Sequence, residues 1–170
     1  MTYRVVNWGT GNVGRLGLAA VLDRVDCELV GHYVYNKEKE GRDSGEFIGR
    51  APVGIRTTND LDALIALKPD VVTYFGNSMN DPMAAARDMA RFLEAGINVV
   101  TVCLSQLLSA STMSPAVCDV IEPACQKGQS SLFFAGMDPG FATTQLPISV
   151  YGVANRIEQV RLQEFADWGT

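Results

Sequence analysis

Histidine is nearly absent from this sequence, cysteine is sparse, and positive charge is in the minority. Each shortage closes off a kind of chemistry. His32 is the single histidine among 170 residues, and the four cysteines, Cys27, Cys103, Cys118 and Cys125, form no C-x-x-C pair. Structural zinc needs about four thiol or imidazole ligands at close spacing, so no metal site is expected. The scattered thiols read as reduced and buried in a cytoplasmic protein, with Cys118 and Cys125 seven apart on one packed helical face. Lysine and arginine number 14 against 19 aspartates and glutamates, a net charge of −5. That balance offers no sequence-independent grip on nucleic acid. No apolar run approaches the ~20 residues of a membrane helix. The start, Met-Thr-Tyr-Arg, enters an apolar run without the pattern of a signal peptide, so no membrane partner is expected.

What remains is an ordinary globular composition, 47% hydrophobic and 19% charged, at about one domain's length. Short β-branched runs at residues 3–8, 27–36, 70–76 and 97–102, and again in SLFFAG, read as strands. A shorter strand lies in VGIRTTND. Between them come helical stretches: residues 12–23; DLDALIAL, capped by Thr58 or Asn59 and ended by Pro69; and DPMAAARDMARFLEAG, with Pro82 in its first turn and Gly96 as its stop. SPAVCDVIEPACQKG is a further helix, capped at Ser114 and expected to kink or break at Pro123. PGFATTQLPISVYGVAN reads as a helix kinked at Pro147, and KEKEGRDSGEFIG as a charged loop with one helical turn. This alternation predicts a parallel, doubly wound α/β sheet of the Rossmann type. The last stretch, residues 156–168, alternates like an antiparallel strand with one buried face. The expected division is therefore a nucleotide-binding domain over residues 1–153 and the first strand of a second, α+β domain over 154–170.

The stretch VVNWGTGNVGR carries the chemistry. Gly9, Thr10, Gly11, Asn12, Val13 and Gly14 fit G-x-G-x-x-G with a strand before and a helix after, the context in which that pattern cradles a dinucleotide pyrophosphate. At the end of the second strand an NAD site usually places an acidic residue on the ribose 2′-OH. Here Tyr35, Asn36 and Lys37 stand instead, with Arg42 further on, a set suited to a 2′-phosphate, so NADP(H) is favoured over NAD(H). The alternative is a solvated loop in which Lys37, Lys39 and Arg42 pair with Glu38 and Glu40. Other strand ends bring Phe75, Gly76, Asn77 and Cys103 to the same crevice.

The opening VVNWGTGNVGRLGLAAVL, the loop NKEKEGRDSGEFIG and the later MDPGF, in that order and spacing, resemble the dihydrodipicolinate reductase-like family. Within it the sequence is most similar to the branch of 2,4-diaminopentanoate dehydrogenases and NAD(P)H-dependent amine dehydrogenases. The resemblance implies a Rossmann domain for NAD(P)H and a second domain that closes over a small-molecule substrate and forms a homodimer. It implies hydride transfer to a C=N bond, or the reverse oxidation of an amine, with a carbonyl as the related substrate. Gly9 to Gly14 match the pyrophosphate loop, Asn36 and Lys37 the adenosine-ribose end. Asp138, Pro139 and Gly140 stand where the family has an Asn-Pro-Gly-type turn beside the nicotinamide, and LQEFADW resembles the entry to the second domain. Relatives of this kind are about twice as long.

Two departures stand out. The histidine pair of the reductases has no counterpart, and the loop after the fifth main strand, CLSQLLSAS, lacks the acidic residue of the amine dehydrogenases. A neutral loop offers neither a general base toward ammonia nor a charge for an iminium. Asp138 is then the one candidate catalytic acid or base, with a turn or helix-cap role as its alternative. Tyr35, Tyr74 and His32 read as packing residues. The rival to an enzyme is an NAD(P)-sensing or structural module without turnover.

Overall fold

The computed structural model describes residues 1–76, 78–108, 114–165 and 167. Its centre is β1 (Tyr3–Trp8), whose last four residues are buried. β2 (Cys27–Tyr33) and β4 (Val71–Tyr74) flank it, β3 (Thr57–Thr58) lies outside β2, and β5 (Asn98–Thr101) and β6 (Leu132–Phe134) extend the other side. All pairings are parallel, in the order β3-β2-β1-β4-β5-β6. A sheet covered on both faces requires apolar residues on both sides of each strand, which is why VVNW and VVTY read as runs rather than alternations.

Successive β1 residues serve opposite faces. Val5 packs with Leu18 and Val21 of α1 (Asn12–Asp23) and with Leu29. Val6 and Trp8 join Leu64 of α2 (Leu61–Ala66), Met89, Phe92 and Leu93 of α3 (Pro82–Glu94), and Val117 and Ile121 of α4 (Pro115–Gly128). Burial of a side chain the size of Phe92 stabilises by about 1.5–3 kcal/mol.

The expected helix signals operate as chemistry requires, with corrections. Asp81 Oδ1 accepts from the Ala84 N–H at 2.8 Å ahead of Pro82, and Gly96 closes α3 at φ +81°. The cap of α2 is Asp60, accepting from Ala63, rather than Thr58 or Asn59; Thr58 Oγ1 accepts from the Asp60 N–H instead. α4 runs through Pro123 without a break. Asp119, whose carbonyl loses its helical donor to that proline, is exposed, so water replaces the bond while Val117, Ile121 and Ala124 stay packed. β2 ends at Tyr33 rather than residue 36, because Asn36 turns the chain: its Oδ1 caps a short 3₁₀ turn, Lys37–Lys39, by accepting from Glu38 N–H. A second short turn, Ser44–Ile48, gives the charged loop two helical turns where one was expected.

After β6 the chain makes wide, π-type turns over Met137–Gln145, non-helical at Asp138, Pro139 and Gly140, and continues as α5 (Leu146–Tyr151) with Pro147 in its first turn. The expected strand over 156–168 does not form among the described residues, where 156–165 are irregular and exposed. A strand needs a neighbour for its N–H and C=O groups. In its place Ile157, Val160 and Leu162 line an open cavity against Leu146 and Val150 of α5. Among the described residues no helix is long and apolar enough to cross a membrane.

Candidate functional site

In this strand order the connections from β1 and β4 leave in opposite directions, opening a crevice at the carboxyl ends of the two strands. The glycine loop occupies that position. Gly9 takes φ +105°, and a Cβ there would lie 2.9 Å from the Phe75 carbonyl oxygen. At Gly14 a Cβ would lie 2.3 Å from the Gly9 carbonyl oxygen, so the helix starts against the turn only because that side chain is missing. Gly11 is exposed, with open space where a Cβ would stand. It serves as N-cap without a side-chain hydrogen bond, and Arg15 N–H makes the first helical bond, to its carbonyl. The N–H groups of the first turn therefore have no intrahelical acceptors. Open space, exposed donors and a positive helix end fit a pyrophosphate. Asn12 and Val13 are exposed on the same turn.

The adenosine end differs from expectation in its cation. Lys37 is exposed and Asn36 is occupied as a cap. Arg42 turns to Glu46, 3.0 Å away, and lies over the Phe47 ring at 5.1 Å. Lys39 is the residue that reaches the glycine loop: its half-buried ammonium donates to Thr10 Oγ1 at 3.1 Å. Thr57 of β3 holds it there, donating from its hydroxyl to the Lys39 carbonyl. The sequence showed Lys39 only as one charge in a run; the contact across 29 positions carries no local signal.

At the end of β4, Phe75 N–H continues the sheet by donating to the Trp8 carbonyl, and its ring lies over Gly17 of α1. The Gly76 carbonyl accepts from the Cys103 thiol at 2.8 Å. Burial raises the Cys103 pKa, so this thiol is a packed donor rather than a nucleophile. Asn77 lies outside the described residues. Tyr74 is buried, as expected, whereas Tyr35 is exposed and keeps only its hydroxyl in a polar chain: Trp8 Nε1–H donates to Tyr35 Oη (2.7 Å), Tyr35 Oη lies 3.3 Å from Tyr74 Oη, and Tyr74 donates to Asp88 (3.2 Å). Burial raises the Tyr74 pKa and, against the Tyr74 hydrogen bond, that of Asp88. Trp8 stacks on Tyr33 with ring centroids 3.5 Å apart, closing an aromatic floor beside the crevice.

Asp138 is exposed, ahead of Pro139 and the buried Gly140. The turn there is closed by Gly140 N–H donating to Thr143 Oγ1 at 2.9 Å, and by Phe141 N–H to the Gly136 carbonyl. Asp138 instead stands near the Glu164 carboxyl, whose pKa that neighbour raises. The two carboxyl groups line an open cavity of about 400 Å³ with Met137, Thr143 and Leu162. Nothing in the sequence pointed to Glu164 as a neighbour of Asp138.

A six-stranded parallel sheet in this order, with a glycine loop at its crevice, defines a Rossmann-type NAD(P)-binding domain. No model of a known protein family matches the chain. It is 35% identical over 167 residues to an amine dehydrogenase of Streptomyces virginiae, a match covering 97% of this chain and 46% of that protein. It is 37% identical over 98 residues to the 4-hydroxy-tetrahydrodipicolinate reductase of Methanothermobacter thermautotrophicus, covering 54% of this chain and 34% of the reductase. The structure of an amine dehydrogenase from Mycobacterium smegmatis superposes with a TM-score of 0.75 at 23% identity, over 93% of this chain and 46% of that one, and so shares the fold. The chain is thus a homologue of an amine dehydrogenase along nearly its whole length and, over about half of it, is similar to a 4-hydroxy-tetrahydrodipicolinate reductase. It spans about half the length of the amine dehydrogenase that it matches.

Proposed function

We propose that this chain is the NADP(H)-binding part of an oxidoreductase that transfers hydride to or from a C=N or C–N bond of a small imine or amine. The observation that carries the reading is the glycine cradle at the crevice with Lys39 poised over Thr10. When bound, the nicotinamide supplies the hydride; the chain's own residues bind and orient it. Gly9 to Gly14 hold the pyrophosphate through backbone N–H groups. Lys39, with Lys37 close in sequence and Arg42 released from Glu46, offers positive charge to a 2′-phosphate. Phe75, Gly76, Cys103, Pro139 and Gly140 line the nicotinamide side, and Asp138 is the acid or base candidate. Residues 154–170, which carry Ile157, Val160, Leu162 and Phe165 as exposed apolar side chains, would open the second domain, which closes over substrate and forms the homodimer.

Fluorescence titration of the purified protein with NADPH and NADH tests the cofactor. NADPH is expected to bind more tightly, and Lys39→Ala to weaken NADPH alone by about fivefold, the worth of one partly exposed ion pair of about 1 kcal/mol. Equal affinities in the parent would remove the NADP preference. Binding of neither at millimolar concentration would remove the whole reading. For the full-length enzyme, binding of NADPH with no turnover of imine, ketone or amine would favour a sensor instead.

A further inference from the structure

The carbonyl of Gly9 is met by two side-chain donors. Asn7 Nδ2 lies 3.2 Å from it and 3.2 Å from the Gly14 carbonyl. His32 Nε2 lies 3.2 Å from it as well. Both side chains are fully buried, and the β1–β2 register pairs Asn7 with His32, setting them side by side on adjacent strands. Their orientations are determined by second partners. Thr73 Oγ1 donates to Asn7 Oδ1 at 3.1 Å, which turns the amide NH₂ toward the loop. A carbonyl only accepts, so His32 Nε2 carries the hydrogen, and Nδ1 faces Ser44 Oγ at 3.0 Å. The Ser44 hydroxyl has one hydrogen, which goes to the bare Nδ1 of the neutral ring, and the Ile55 carbonyl, 2.8 Å from Oγ, takes the Ser44 N–H at 2.9 Å instead, tying the ring to the loop beyond β2.

One donor would satisfy a buried carbonyl; two, from different strands, fix its direction. In a trans peptide the C=O and the following N–H point opposite ways. A Gly9 carbonyl held toward the core therefore sends the Thr10 N–H outward, into the crevice. We propose that His32 and Asn7 are positioning residues for dinucleotide binding: they clamp the Gly9–Thr10 peptide so that its N–H is aimed at the pyrophosphate before the cofactor arrives. This rests on the NAD(P) reading above. It also explains why a strand buried against α1 carries an imidazole where an aliphatic side chain would pack, since a buried polar group without such a bond is costly.

The test compares NADPH titrations of the parent, His32→Leu and His32→Gln, each with its melting temperature. His32→Leu keeps the volume and removes the donor, and is expected to weaken NADPH binding about tenfold, one hydrogen bond's worth of orientation. His32→Gln returns an amide donor near the same place and is expected to recover affinity to within about threefold of the parent. A folded His32→Leu that binds as the parent does overturns the proposal. Equal weakness in the Leu and Gln variants also overturns it, because a purely structural role makes no distinction by donor. Should His32→Leu fail to fold, Ser44→Ala decides, since it removes the ring's orienting partner at a distance from the loop. About threefold weaker binding supports positioning, and unchanged binding refutes it. A parent that binds neither NADPH nor NADH overturns the dinucleotide reading itself, and this proposal with it.

Discussion

Alanine at two glycines of one loop separates packing from binding. At Gly14 the new Cβ would lie 2.3 Å from the Gly9 carbonyl oxygen and 2.6 Å from its carbon. Both are backbone atoms, and the oxygen is held by Asn7 and His32, so about 1 Å of movement must come from the turn itself. Overpacking of this kind costs about 3 kcal/mol at the upper end. Alanine's better helix propensity and the stiffer unfolded chain return about 1 kcal/mol. The net loss of about 2 kcal/mol lowers the melting temperature by about 4–8 °C in a domain of this size. NADPH affinity is expected to fall at least tenfold with it, because the displaced peptide carries the Thr10 N–H. At Gly11 a Cβ meets nothing within 4 Å, and φ −74° suits any residue. The weaker cap and the stiffer unfolded chain offset each other to within about 1 kcal/mol. Gly11→Ala should therefore melt within about 2–3 °C of the parent and still lose about tenfold in NADPH affinity, because the methyl stands where the pyrophosphate must approach. Calorimetry and fluorescence titration on the two variants give four numbers. A Gly14→Ala protein as stable as the parent, or a Gly11→Ala protein that loses stability and keeps its affinity, would refute the reasoning.

The core and the buried histidine give two further expectations. Phe92 is fully buried between α3 and the sheet, so Phe92→Ala should cost about 3–5 kcal/mol, read from the urea midpoint at unchanged slope. Burial holds the His32 pKa below its ordinary 6.5, against the raising effect of the Gly9 hydrogen bond. Between that depressed value and 6.5 the unfolded chain carries a proton that the folded chain does not. Stability should then fall as pH drops below about 6.5. Urea unfolding at pH 7.5 and 5.5 should show a larger drop in the parent than in His32→Gln; equal drops would count against a neutral buried imidazole.

Much of the scaffold is legible residue by residue. α1 begins and ends where its glycines, apolar spacing and flanks place it, and Pro82 and Gly96 bound α3 as expected. The misreadings have local causes of a subtler kind. At the start of α2, three consecutive residues able to cap compete, and Asp60 takes the helical Ala63 N–H while Thr58 takes the N–H of Asp60. Pro123 breaks nothing because its lost hydrogen bond faces water and its neighbours face α3. Over residues 156–168 the apolar side chains Ile157, Val160, Leu162 and Phe165 are spaced by three, two and three, which departs from a strand's period of two, and among the described residues no partner strand stands beside them.

For the site, the sequence by itself determined the cradle. Two glycines between a buried strand and a helix, with a third in the helix's first turn, specify a tight turn and an approachable backbone, both properties of neighbouring residues. It also determined the crevice, since strand–helix alternation with right-handed connections leaves few sheet orders open. Only the tertiary structure decided which cation faces the loop and what stands behind it. Lys39 rather than Arg42 meets Thr10 because β3 pins its carbonyl and Glu46 claims the arginine. His32 meets Gly9 because parallel pairing sets Asn7 beside it. Such contacts join residues more than twenty positions apart, and their distances follow from register and packing, quantities that no stretch of sequence contains alone.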